Sequence, residues 1–106
     1  MFDLLEVALV VLERLAPVEA KIRVKSRSLA NQVAECSESI VLNIGEGGAR
    51  RGGDRLRHYD IASGSAGELT VALRIALGKR YITAADRASV EEPLDRVRAM
   101  LWRSLH

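Results

Sequence analysis

At 106 residues the chain has the length of one domain with a single core, which excludes any need for disulfide or metal staples. Apolar residues make up 48% and aromatics only 4%, so the core is aliphatic, and two prolines in the whole chain leave helices free to form. The net charge of +2 is too small to diagnose a nucleic-acid partner, and the single Cys36 excludes an internal disulfide framework and a cysteine-based zinc site.

The segment Met1–Leu15 is apolar but carries Asp3, Glu6 and Glu13 at helical intervals and lacks a basic start, so it reads as a mature helix, not a signal peptide. Helix one is expected over about residues 2–24, with Leu4, Leu5, Ala8, Val11, Leu12 and Leu15 forming a stripe that needs a partner. Pro17 removes a hydrogen bond to the Glu13 carbonyl and predicts a kink. Ser26 or Ser28 caps helix two, expected over about 29–44, where Leu29, Val33, Cys36, Ile40 and Ile44 share one stripe. Glu35, Glu38 and Glu46 lie opposite, together with Leu42, and Val41 stands beside it.

Five glycines between Gly45 and Gly53 then predict a loop. Asp54 is the expected N-cap of helix three, over about 55–77, with Gly78 as its C-cap. One face of that helix carries Tyr59, Ala62, Ala66, Leu69, Leu73 and Leu77. A second carries Ile61, Val71, Ala72 and Ile75. Two apolar faces in so small a protein predict burial against another subunit, and Val41, Leu42, Ile61, Val71, Ala72 and Ile75 are the candidate interface. Thr83 and Asp86 form an approximate capping box for helix four, over about 84–105, and Pro93 predicts a separate first turn. Four amphipathic helices with short connections make an all-α, up-down-up-down antiparallel four-helix bundle in one domain.

The chemical motifs thin out under test. The glycines follow a helix, not a strand, and no Lys-Ser/Thr comes after them, so neither a P-loop nor a dinucleotide fingerprint is present. No Ser-His-Asp or Cys-His arrangement can be argued, no catalytic residue is assigned, and Cys36 falls on the core stripe. His58 has only Asp54 as a local fellow ligand, so no metal site and no cofactor is expected. The cluster Arg50, Arg51, Arg55, Arg57 with His58 sits at a helix N-terminus, where backbone N–H groups also favour anions. It is the candidate nucleic-acid surface, RNA or DNA, with a solvated loop as the plainer alternative and only Tyr59 available for stacking.

Two linked motifs carry a family resemblance. Ser39, Ile40, Asn43, Ile44, Glu46 and Gly47 match the first, and Tyr59, Ile61, Ala62, Gly64, Ser65 and Glu68 the second. In this pattern the chain resembles the bacterial four-helix-bundle proteins of intervening sequences in 23S ribosomal RNA genes, covering about a third of the residues by motif and nearly all by helix order. Gly45 departs from the usual alanine and predicts an early end to helix two. The resemblance implies a homopentamer and brings no enzyme activity. A related group, the accessory variability determinants of diversity-generating retroelements, looks like the same bundle and works with nucleic acid, an analogy of fold alone. The resulting expectation is a non-enzymatic cytoplasmic homo-oligomer whose partners are itself and a nucleic acid, with no membrane. The alternative is a structural or protein-interaction module. In the family motif, Gly64, Ser65 and Gly67 allow close helix approach, while Asn43 and Glu46 tie the end of helix two to the glycine loop.

Overall fold

A computed structural model describes residues 3–106, and the expected start of helix one at Phe2 lies outside them. Four helices follow in order: α1 (Leu4–Lys25), α2 (Arg27–Gly48), α3 (Gly52–Gly78) and α4 (Ala84–Leu105). Each packs mainly on its neighbours in sequence, and α1 also packs on α4, which closes a square bundle. The core is aliphatic throughout. Leu15, Ile22, Ile40, Leu69, Leu73, Leu94 and Leu101 are its largest fully buried side chains, joined by Val7, Val11, Val33, Val90 and Val97.

Capping explains the starts. Asp3 accepts from the Glu6 amide at 2.9 Å, and Ser26, not Ser28, caps α2 through the Leu29 amide at 3.1 Å. Thr83 and Asp86 bond reciprocally, Thr83 N–H to Asp86 Oδ2 at 2.9 Å and Asp86 N–H to Thr83 Oγ1 at 3.1 Å.

Four boundaries differ from expectation. Helix α2 runs past Ile44 through Gly45 to Gly48, because packing on α3 and capping of its last carbonyls outweigh the poor helix propensity of glycine. Helix α3 begins at Gly52 with Arg51 at the cap position, and Asp54 is a first-turn residue that pairs with arginines. Gly52 has φ +58°, a left-handed conformation in which a side chain would be strained. At the other end Gly78 stays helical, and Arg80 takes the left-handed conformation at φ 62°. The Tyr81 amide there bonds back to the Ala76 carbonyl in a Schellman-type turn.

The fourth concerns Pro93, which lies inside a continuous α4. Lacking an N–H, it leaves the Ser89 carbonyl without its helical donor. Arg14 of α1 supplies one, its Nη1 lying 3.2 Å from Ser89 O, and the same group pairs with Glu92. Pro17 likewise lies within an unbroken α1, on its exposed side where water can reach the Glu13 carbonyl.

Candidate functional site

The seam between α2 and α3 carries a line of polar side chains that runs along both helices. Gln32 Nε2 donates to Glu68 at 3.4 Å, and the Cys36 thiol lies 3.9 Å from the same carboxylate. Burial raises the Cys36 thiol above its ordinary value, and the charge of Glu68 raises it further, so it stays protonated as a small apolar group. One turn on, Ser39 and Ser65 share a hydrogen bond of 2.7 Å across the seam. Asn43 donates its Nδ2 to the Ser39 carbonyl at 2.9 Å, which turns its Oδ1 towards His58 Nδ1 at 3.0 Å. That arrangement makes Nδ1 the protonated nitrogen, leaving Nε2 to accept from Arg57 at 3.3 Å. The Ser39–Ser65 and Asn43–His58 bonds cross the seam and tie the two helices in one axial register.

The glycine–arginine junction caps this seam. A Cβ on Gly47 would fall 2.5 Å from Tyr59 Cε1, so the absence of a side chain there is what lets the ring lie against α2. Arg55 is absorbed by the fold. Its Nε donates to the carbonyls of Gly47 at 3.0 Å and Arg50 at 2.9 Å, and Nη2 to Gly48 at 3.3 Å, so it closes the C-terminus of α2. Arg50 is held between Glu46 at 3.3 Å and Asp54 at 3.2 Å, and Arg57 reaches Asp54 at 3.5 Å. Two acids therefore oppose the cluster where the sequence offered Asp54 alone. Of the five candidate nucleic-acid residues, Arg51 keeps a side chain without a partner among the described residues.

The outer face of α2 and α3 holds the candidate interface. Leu42 is 67% exposed and Val71 57%, with Ile61 and Ile75 exposed as well, while Val41 is half-buried against the core. Ala72 is a correction. It is 3% exposed and belongs to the chain's own core, since one residue of helix separates its direction from that of Val71 by about 100°. Beside Val71 and Ile75 lies an open groove of about 590 Å³, walled by Leu29 and Gln32 of α2 and Arg98 of α4, with Gly67 on its floor. The sequence reading missed that groove, because it is formed by side chains of three helices brought together only by packing. It also passed over exposed Trp102, which stacks on His106 at 4.5 Å between ring centres.

Among the described residues no group of three or more His, Cys, Asp or Glu side chains is placed to hold a metal ion, and no helix is long and apolar enough to cross a membrane. The Glu35, Glu38 and Glu46 side of α2 points outward, away from any shared centre. Comparison with curated proteins and with solved structures gave no match. The family model of the 23S rRNA-intervening sequence protein matches residues 7–103, which includes the whole polar seam, the glycine–arginine junction and all but the ends of α1 and α4. The chain therefore belongs to the family of 23S rRNA-intervening sequence proteins.

Proposed function

We infer that the protein acts as a self-associating scaffold with no reaction of its own, and that its working surface is the outer face of α2 and α3. The observation that carries this reading is the exposure of Leu42, Ile61, Val71 and Ile75 on the same side of the bundle as an open apolar groove. Grouped aliphatic side chains rimmed by charge mark an interaction site, whereas scattered ones would mean little. The family resemblance supports five copies as the assembled state. Light scattering on Leu42→Glu and Ile75→Glu tests the surface. Both variants should run as helical monomers beside an assembled wild type, and assembly that survives both changes contradicts the reading.

A second reading is supported by Arg51, whose charge no side chain balances among the described residues. In an assembly this residue repeats around the axis, and with the Arg50–Arg57 turn it offers phosphate a cationic end surface. Binding of structured RNA should then fall steeply with salt and weaken in Arg51→Ala. RNA binding that ignores salt, or none in low salt, removes the nucleic-acid role and leaves the scaffold standing.

A further inference from the structure

The small net charge of the chain hides a strongly polarised molecule. Residues 19–32 and 70–88 form the end of the bundle where α1 turns into α2 and α3 into α4. They carry eight Lys and Arg side chains against two acids, a net charge of +6. The rest of the chain holds eight cations against twelve acids, a net charge of −4. Both acids of the turn end are engaged, Glu19 with Arg23 at 3.1 Å and Asp86 with Lys21 at 2.9 Å. Lys25, Arg27, Lys79 and Arg80 are exposed and have no ion pair among the described residues.

Helix polarity explains only part of this concentration. Arg23 and Lys25 close α1, where a cation complements the helix dipole. Arg27 instead opens α2, whose first turn holds no acid, and a cation is unfavourable there. Arg80 takes φ 62°, a conformation that glycine adopts freely and that strains an L side chain. Two cations thus occupy positions where the local backbone favours another residue. Between their turns lies a hollow of about 300 Å³, lined by Ser28, Lys79 and Tyr81 over Leu29 and Ile75. The Ser28 and Tyr81 hydroxyls have no hydrogen-bond partner among the described residues.

We propose that this turn end binds the phosphate backbone of a nucleic-acid duplex without reading its sequence. Nucleic-acid interfaces are polar and strongly cationic, whereas protein interfaces carry an apolar centre. The large apolar residues exposed at this end are Val24 at its tip and Ile75 in the hollow, too few for such a centre. They are also too few to insert into a lipid surface beside the cations. A single strand needs flat rings for its bases, and Tyr81 is half-buried. What remains is charge from two turns with free hydroxyls, the groups that contact phosphate oxygens. The net negative charge of the rest of the bundle repels a polyanion from its sides and leaves the turn end as its approach. This surface lies opposite the Arg51 junction and depends neither on that residue nor on self-association.

Fluorescence anisotropy with one labelled duplex, made as RNA and as DNA, tests the proposal. Both should bind in low salt, alike for two unrelated sequences, and weaken steeply as salt rises. Lys25→Ala and Lys79→Ala should each flatten the slope of log affinity against log salt by about 0.9, with little change in melting temperature. Arg80→Gly should melt higher and yet bind more weakly, since it relieves the backbone while removing a contact. The share of the turn end is the binding that survives Arg51→Ala. Binding abolished by Arg51→Ala and untouched by the two lysine changes places the contact at the junction and overturns the proposal. Arg80→Gly binding like wild type overturns it too, as does binding to phosphatidylserine vesicles without binding to either duplex. A wild type that binds neither duplex in low salt overturns this proposal and the junction reading together.

Discussion

At the residue scale the family motif resolves into contacts. Gly47 matters because Tyr59 lies where its side chain would be, and the ring cannot swing clear without leaving α2. Gly47→Ala should therefore cost about 1–3 kcal/mol of stability, the usual range for forcing a methyl group into a packed site. Thermal or urea denaturation checks it, and an unchanged midpoint would mean that the ring is free to move. Asn43 serves by directing the His58 ring, and Ser65 by meeting Ser39. Asp86 carries a pH signature. Its bond from the Thr83 backbone, and then its pairing with Lys21, hold its carboxyl below the ordinary 3.8. A depressed carboxylate stabilises the fold fully above its unfolded value and loses that contribution as pH falls through the lower folded one. Asp86→Ala should lower stability by about 1 kcal/mol at neutral pH, through the lost capping box. Melting curves of variant and wild type should converge as the pH drops below 3.8. A gap that stays constant into acid would show that the charge of Asp86 contributes nothing.

At the scale of elements, helical periodicity identified all four helices, because an aliphatic stripe repeating at three and four residues has no other use in a domain of this size. The Thr83–Asp86 box was legible, and the α2 cap was narrowed to Ser26 or Ser28, for the same local reason: side chain and target amide lie three residues apart in sequence. The ends at Gly48 and Gly52 were not. Local propensity says that Gly45 to Gly53 is loop, and what keeps Gly45–Gly48 helical is a guanidinium eight residues away from the first carbonyl it caps. Pro93 failed as a boundary in the same manner, since its rescue by Arg14 spans three-quarters of the chain. The candidate site divides along this line. Leu42, Ile61, Val71 and Ile75 were readable from the helical wheel as apolar residues off the core stripe. Ala72 was not, as its neighbourhood with Val71 in sequence hides a turn inward. The arginines were readable as a cluster, but their partners were set by the junction's geometry. Arg55→Ala removes the guanidinium from the Gly48 carbonyl and leaves that of Gly47 with the Arg50 amide alone, so about 1–3 kcal/mol should be lost at the α2–α3 junction. Faster amide exchange at the end of α2 would accompany that loss. Unaltered exchange and stability would return Arg55 to the surface pool. For the same reason Arg51 is the arginine whose removal reports on nucleic acid without disturbing the fold.

The whole molecule is a closed square of helices with a polar seam along one edge and unburied aliphatic side chains outside that edge. The inner stripes account for the monomer's core, and the outer ones have no role in it. A monomer that left Leu42, Val71 and Ile75 in water would give up several kcal/mol of burial, at about 25 cal/mol for each Å² of apolar surface. Family membership is consistent with such a scaffold and assigns it no reaction. Assembly is thus the claim on which the account turns, since the α2–α3 face has a function only if something covers it. Sedimentation equilibrium of the wild-type protein over a wide concentration range tests it most directly. The account predicts a discrete multimer, the same at every loading above its dissociation constant and reduced to the chain mass by Leu42→Glu. A single species of chain mass throughout, with that face open to solvent, would contradict it.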